Sequence, residues 1–212
     1  MKESIVRLIC NFLQCSPNNI VGLYPFGSRI YGNNVDTSDY DFICIVKDGP
    51  KETQILTPDV NVNIYRKNYV LTLYLKNDIK ALEIACLPKD KILIDGRFCF
   101  CRNITELRGS ISEKSSHSWV KAKKKFEKEQ DIKAGKKSLF HSLRILDFGI
   151  QVAEKGRIEN YGSMNTIYKE ILEMESVIWD DYDKKYRELY NSMKTRFKAA
   201  TSQTVEKIKV GK

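Results

Sequence analysis

The first half of the chain alternates short apolar runs with polar turns, a pattern that predicts a small sheet flanked by helices. Ile5, Leu8, Ile9 and Phe12 recur at helical spacing and predict a first helix over about residues 3–14. The other elements predicted in this half are strands at 20–26, 40–47, 55–65 and 91–100, a short helical segment after Gly27-Ser28, and helices at 69–75 and 79–86.

The second half has the periodicity of long, charged helices. Residues 136–154 give the clearest pattern, because Leu139, Leu143, Leu146, Ile150 and Ala153 form one apolar stripe and Gly156 follows as a suitable C-cap. Further helices are predicted at 104–126, with interruptions, and at 164–174 and 179–200. We therefore expect an α/β (α+β) chain: a small mixed sheet with helices over residues 1–102, a basic helical domain over 103–201 and a flexible basic tail over 202–212.

Positive charge is concentrated in the helical half. The chain carries 36 Lys and Arg against 27 Asp and Glu, a net charge of +9, and residues 101–212 hold 24 of the cations and 16 of the acids. A localised positive field attracts polyanions such as nucleic acid or nucleotide phosphates. A lysine-rich surface that only contacts solvent explains the same counts, so charge alone does not choose between the two.

Cysteine usage and hydropathy place the chain among soluble, reduced proteins. It has six cysteines without a C-x-x-C pair and only two histidines, so no structural zinc site is predicted. Cys44 lies in an apolar strand and is expected to be buried. No apolar stretch approaches the roughly 18 residues of a membrane span, and Glu3 and Arg7 argue against a secretory signal. We expect a cytoplasmic or nuclear protein that is not secreted and does not contact membranes.

Candidate chemistry lies between residues 26 and 42. Asp39 and Asp41 are two apart on a predicted strand, so both carboxylates project from one face, where they repel each other unless a cation neutralises them. Oxygen ligands of this kind suit Mg²⁺ or Mn²⁺. Gly27-Ser28 follows a buried strand, and such a turn can offer backbone N–H groups and a hydroxyl to phosphate oxygens.

A third acid follows from an assumed hairpin. If the second and third strands pair antiparallel about a turn near Pro50, Asp41 lies opposite Asp59 and Asp39 lies opposite Asn61. Three carboxylates on one face beside a phosphate-binding turn would fit two-metal nucleotidyl transfer. Were Asn61 the true third position instead, the metal would be weakly held.

These residues resemble a known signature. Gly27-Ser28, ten intervening residues and Asp39-Tyr40-Asp41 look like the signature of the polymerase-beta-type nucleotidyltransferases. The strings GSRIYG and SDYDF are similar to a narrower branch, the predicted nucleotidyltransferases associated with RNA repair and RNA ligase (RlaP-like). Segments that support this branch are Asp59-Val60-Asn61-Val62 with Arg66-Lys67, Ala81-Leu82-Glu83-Ile84, and Lys137-x-x-x-His141-x-x-Arg144-x-Leu146, whereas Asp78 departs from its usual proline.

The resemblance implies roles at the matching positions. Gly27 and Ser28 would bind the nucleotide phosphates, and Asp39, Asp41 and Asp59 would be catalytic and hold Mg²⁺ or Mn²⁺. It implies transfer of a nucleoside monophosphate from an NTP, ATP included, to an acceptor hydroxyl, with an RNA end as the acceptor and RNA repair as the setting. Further nucleotide-binding candidates are Arg29, Lys137, His141 and Arg144.

Each of these assignments has a simpler alternative. Lys137, His141 and Arg144 share a helix face and could equally be a solvated basic stripe. Residues 121–125 could follow a nucleic-acid backbone or be ordinary helix surface, and we expect His117 at the surface. For the whole chain, the other functions are protein nucleotidylation (AMP transfer) and a degenerate domain that binds RNA or a partner without catalysis; the oligomeric state is open. We expect five aromatic residues to pack in the helical core: Trp119, Trp179, Tyr182, Tyr186 and Tyr190.

Overall fold

Four strands and their flanking helices form the first half of the chain in the computed structural model, which describes residues 1–96, 98 and 101–209, with side chains up to residue 202. The sheet has the order β1-β2-β4-β3; β2 and β4 are parallel and the other neighbours antiparallel, as expected for a small mixed sheet. The elements are α1 (Lys2–Leu13), β1 (Ile20–Phe26), α2 (Ser28–Tyr31), β2 (Tyr40–Val46), β3 (Glu52–Leu56), β4 (Val60–Arg66), α3 (Lys67–Leu75) and α4 (Ile79–Cys86).

One face of the sheet is buried against α1. Ile5 and Ile9 of this helix pack with Phe42, Cys44 and Val46, the even-numbered residues of β2. Burial of one large aliphatic side chain stabilises the fold by about 1.5–3 kcal/mol. Because strand side chains alternate, the odd-numbered residues of β2 belong to the opposite face, and Asp41 is one of them. The buried position predicted for Cys44 is confirmed.

The predicted third strand is in fact two strands. A turn at Thr57–Asp59 separates β3 from β4, and Thr57 closes it by donating its N–H to the Val60 carbonyl at 2.9 Å and accepting the Val60 N–H at 3.0 Å. Pro58 has no N–H to give to a sheet, which explains why the strand cannot run through. The extra strand makes β4 parallel to β2, so the predicted hairpin between 40–47 and 55–65 is wrong.

The strand predicted at 91–100 is not found among the described residues. Lys89–Lys91 forms a 3₁₀ turn, and a single bridge joins Ile94 to Leu23 of β1. Residues 97, 99 and 100 of that segment lie outside the described residues.

The helical half has its own core. It consists of α5 (Ile104–Glu127), α6 (Ile132–Lys155), α7 (Asn165–Glu173) and α8 (Trp179–Lys209), so α5 is continuous where interruptions were predicted. The α6 stripe is buried as predicted, and Gly156 caps the helix at φ +82° with its N–H on the Val152 carbonyl. All five aromatic residues expected in this core are buried, and the Trp119 ring stacks on Tyr190 at 4.1 Å.

The chain divides into two compact units. One comprises Met1–Leu75 and Lys80–Cys101, and the other comprises Lys76–Ile79 and Arg102–Lys212. Helix α8 ends at Lys209, nine residues beyond the predicted end, and residues 210–212 of the predicted tail lie outside the described residues. None of the described helices is both long and apolar enough to cross a membrane.

Candidate active site

A glycine turn joins β1 to the short helix α2. Gly27 adopts φ +80° and ψ −157°, which is unfavourable for a residue with a Cβ atom. Its carbonyl accepts the N–H groups of Ile30 and Tyr31 at 3.0 and 3.1 Å, and Gly32 ends the helix in the left-handed conformation. Gly27 is therefore the one residue between the end of β1 and the start of α2, and Ser28 is the first residue of the helix.

The turn lies directly against the carboxylate of Asp41. In the β1–β2 ladder Phe26 pairs with Asp41, so the residue after Phe26 meets this side chain. A Cβ atom on Gly27 would lie 2.2 Å from Asp41 Oδ2 and 2.8 Å from its Cγ, closer than any real contact. Only glycine permits this approach. The structure thus brings together two parts of the sequence motif, Gly27-Ser28 and Asp41.

Asp39 lies beside Asp41 at the start of β2. It precedes the strand by one residue and, like Asp41, is partly buried. If the two-residue period of β2 continues to Asp39, its carboxylate shares the face of Asp41 opposite α1. The shared face that the sequence spacing indicates stays a prediction.

Asn61, rather than Asp59, is the residue opposite Asp41. The parallel register of β2 and β4 pairs Asp41 with Asn61, whose Nδ2 donates to Asp41 Oδ1 at 2.9 Å. Gln54 of β3 in turn donates its Nε2 to Asn61 Oδ1 at 2.7 Å. The antiparallel register that placed Asp59 there is wrong. Asp59 is exposed, one residue before β4, and its carbonyl accepts the Tyr40 N–H at 2.8 Å.

The donor atoms around Asp41 suit a hard divalent cation. Asp39 and Asp41 bear carboxylate oxygens, the ligands that Mg²⁺ and Mn²⁺ prefer, whereas Asn61 turns its Nδ2 towards Asp41 and its Oδ1 towards Gln54. Within the described residues, no three His, Cys, Asp or Glu side chains form a group that could hold a metal ion. The carboxylates of Asp39 and Asp41 are therefore the oxygen donors that this site offers a cation.

Arg29 fixes the loop that carries Asp39. Its Nη2 donates to the Ser38 carbonyl at 2.6 Å and its Nε to the Asp39 carbonyl at 3.3 Å. The guanidinium also lies 3.9 Å from the centre of the Tyr40 ring, where cation–π attraction adds to these bonds. These contacts make Arg29 a positioning residue for Asp39, and sequence reasoning had considered it only for phosphate binding.

A buried pair that sequence reasoning did not find anchors the other end of α2. Tyr31 donates its hydroxyl to Glu83 Oε2 of α4 at 2.5 Å, and both side chains are buried. Glu83 had been noticed only within the Ala81–Ile84 segment. The sequence did contain a signal for this pair, because Glu83 lies on the apolar face of a predicted helix. A carboxylate buried there requires a hydrogen-bond donor.

The candidates on α6 have different environments. Lys137 is exposed, whereas Arg144 is buried, and its Nη2 lies 2.8 Å from His141 Nδ1. Because a guanidinium only donates, His141 Nδ1 is the acceptor of this contact. Arg144 also lies 5.6 Å from the centre of the Phe140 ring. Burial raises the pKa of Tyr168, which packs on Phe140, although the charge of Arg144 opposes this rise.

Comparison with known proteins identifies the family of the first half of the chain. The family model of the nucleotidyltransferase domain matches residues 6–111, half of the chain, a range that includes Gly27, Ser28, Asp39, Asp41 and Asp59. Among solved structures, the nucleotidyltransferase-like protein from Exiguobacterium sibiricum 255-15 is 15% identical, with a TM-score of 0.33 over 97% of this chain and 76% of that one. No curated protein matches. The chain belongs to the nucleotidyltransferase domain family.

Proposed function

We propose that this protein transfers a nucleoside monophosphate from an NTP to the hydroxyl at an RNA end and releases pyrophosphate. Membership of the family implies an NTP substrate and nucleotidyl transfer. The observation that carries the proposal is the contact between the Gly27 turn and the Asp41 carboxylate, because it puts a phosphate-binding turn next to the acidic pair. In this reaction the acceptor oxygen forms a bond to the α-phosphorus, the bond between the α-phosphorus and the pyrophosphate oxygen breaks, and the hydroxyl loses its proton.

Each site residue has one role in this proposal. Gly27 and Ser28 bind phosphate oxygens of the NTP. Asp39 and Asp41 hold Mg²⁺ or Mn²⁺, which when bound neutralises the phosphates and activates the acceptor hydroxyl. Asn61 donates to one oxygen of Asp41 and so fixes the carboxylate before any ion arrives. Arg29 holds the loop that carries Asp39.

The third acid of the proposal is Asp59. The two-residue period of β4, extended by one position, favours the same face for Asp59 as for Asn61 and Asp41. Its exposure leaves the carboxylate accessible to an acceptor or an ion. In this role Asp59 takes the proton of the acceptor hydroxyl, and it would join the metal site only if its exposed side chain moved towards Asp39 and Asp41 when an ion binds.

RNA is the proposed acceptor because of charge and of the RNA-repair resemblance. The residues from 101 onward carry 24 Lys and Arg against 16 Asp and Glu. A field of this sign attracts a polyanionic acceptor in preference to an average protein surface. Lys137, His141 and Arg144 remain candidates for phosphate contacts, and their segment lies beyond the family match.

A non-catalytic RNA-binding domain is the second candidate function. The specific observation in its favour is Asn61, an amide at the position paired with Asp41. An amide oxygen carries no charge, so it attracts a cation less strongly than a carboxylate does. This candidate predicts RNA binding that falls steeply with salt, without Mg²⁺-dependent NTP binding.

The test is label transfer from an α-phosphate-labelled NTP, with each base in turn, to an RNA oligonucleotide or to protein. We expect label on RNA, and loss of more than about 100-fold with Asp39→Asn or Asp41→Asn. Label on protein would favour protein nucleotidylation, and no label anywhere would favour the non-catalytic candidate. Asp59→Asn should be as severe as the other two. If it is silent while Asn61→Asp raises the rate, position 61 is the third metal position and the role given to Asp59 is wrong.

A further inference from the structure

A pocket of about 390 Å³ opens in the helical unit at the junction of α5, α6 and α8. Its volume is at the lower end of the range of about 300–1,000 Å³ for ligand sites. Leu146 and Phe197 contribute its buried apolar floor. All other lining residues carry hydrogen-bond donors: Arg108, Ser112, Asn191, Lys194, Thr195 and Lys198.

The lining follows from helical spacing. Arg108 and Ser112 are four residues apart and share one face of α5. Asn191, Lys194, Thr195 and Lys198 recur at three- and four-residue intervals, so they form one stripe along α8. Two facing helices thus present a row of cations and neutral donors to the same space.

The pocket cations are not neutralised by acids. The described residues form no ion pair with Arg108, Lys194 or Lys198, and no Asp or Glu lies between Glu188 and Glu206. Lys194 lies 5.2 Å from the centre of its neighbouring Tyr190 ring, a contact that leaves its charge in place. The pocket therefore has positive potential and no carboxylate among its lining residues.

The lysine-rich segment of α5 is different. Lys123 pairs with Glu127 at 3.5 Å, and Lys124 and Lys125 pair with Glu129 at 3.1 and 2.5 Å. The hydrogen bond that Lys125 donates to Glu129 raises the pKa of Lys125, as expected for a paired cation. This segment is mostly paired helix surface, whereas the described residues form no ion pair with the pocket cations.

We propose that this pocket binds the phosphate backbone of a single-stranded RNA, which gives the acceptor of the proposed function a docking site. Arg and Lys, together with Ser, Thr and Asn, are the side chains that contact phosphate and sugar in nucleic-acid complexes. Lys194 and Lys198 start about 5–6 Å apart on one helix face, so they can contact neighbouring phosphates of one strand. The apolar floor suits the uncharged part of a nucleotide.

Salt dependence of RNA affinity tests the pocket. Binding of a fluorescein-labelled 15-nucleotide single-stranded RNA is measured by anisotropy between 50 and 300 mM KCl. Each lost phosphate contact reduces the slope of log K against log salt by about 0.7, so Lys194→Gln with Lys198→Gln should reduce it by about 1.4. Arg108→Gln, on another helix, should reduce it by about 0.7.

The matched control is Lys184→Gln with Lys185→Gln. These lysines are exposed on the same helix, and their replacement removes the same charge outside the pocket. The control should leave the slope unchanged. Equal loss in the control, or no loss in either pocket variant, would overturn the proposal. So would an equal affinity loss for ATP or for poly-glutamate, which would indicate a nucleotide site or an acidic protein partner.

Failure of the pocket and failure of the proposed function give different results. Label transfer by the unsubstituted protein reports the function, whereas the slope reports the pocket. A reduced slope in the pocket variants without any label transfer would support the RNA site and refute the enzymatic function. Label transfer to RNA with an unchanged slope in both pocket variants would refute the RNA site and support the enzymatic function.

Discussion

Replacing Gly27 with alanine should stop nucleotidyl transfer at a moderate cost in stability. Gly27 has φ +80°, and an added Cβ would lie 2.2 Å from Asp41 Oδ2, where ordinary contact begins at 3.4 Å. The carboxylate must therefore retreat by more than 1 Å, or the turn must open by as much. Either movement separates the two groups that the proposed site requires together.

The two costs can be given separate magnitudes. Holding a residue with a Cβ in this backbone region costs about 1–3 kcal/mol of folding stability. In a protein of this size, each kcal/mol lowers Tm by about 2–4 °C, so the fold survives. A 1 Å misplacement of a reacting group costs about 100-fold in rate. We expect Gly27→Ala to lower transfer by about that factor.

The assay is pyrophosphate release and label transfer at saturating NTP, beside a thermal melt. Gly49→Ala is the matched control, because Gly49 also has positive φ, at +143°, but its added Cβ would meet only a Val46 methyl at 3.6 Å. Gly49→Ala should lose stability and keep its rate. An unchanged rate in Gly27→Ala, or an equal rate loss in both, would refute the argument from close approach.

Three other contacts give predictions that can be checked in the same assays. Arg29→Gln should lower the transfer rate and leave Tm nearly unchanged, because it releases the loop before β2. A lower Tm with full activity would contradict this role. Tyr31→Phe should cost about 1–3 kcal/mol in denaturant unfolding, because buried Glu83 loses a donor, and an unchanged midpoint would contradict it. The hydrogen bond donated by Arg196 lowers the pKa of Glu154, so this exposed pair should stabilise the fold by about 0.5–1 kcal/mol at pH 7. The cost of Glu154→Gln should be present at neutral pH and be lost as the pH of the unfolding measurement falls through the lowered pKa of Glu154.

Local pattern was sufficient for most elements of the fold. The strand predicted at 20–26 and the helix predicted at 79–86 have the observed bounds, and the apolar stripe of α6 is buried as its spacing required. These segments are specified by which face is apolar, and the sequence displays that directly. Pairing between strands is different, because it depends on the topology of the whole sheet.

The register that paired Asp59 with Asp41 was wrong for that reason. A single strand at 55–65 led to an antiparallel hairpin, whereas the Thr57-Pro58-Asp59 turn inserts β3 and makes β4 parallel to β2. The proline was a readable signal, since it cannot donate to a ladder. The sheet face expected for these positions did not change, because 41, 59 and 61 are all odd. The residue paired with Asp41, however, is Asn61 and not Asp59.

The arrangement around Asp41 separates two kinds of preorganisation. Its position is set by the backbone, because the β1–β2 ladder and the positive φ of Gly27 bring the turn and the carboxylate together. Its orientation is set by side chains, through the relay from Gln54 to Asn61 to Asp41. An aspartate at position 61 would add charge for a cation but remove this donor and introduce repulsion in its absence. Asn61 therefore holds the Asp41 carboxylate in one orientation without adding charge, and in the proposed function the third negative charge is assigned to Asp59.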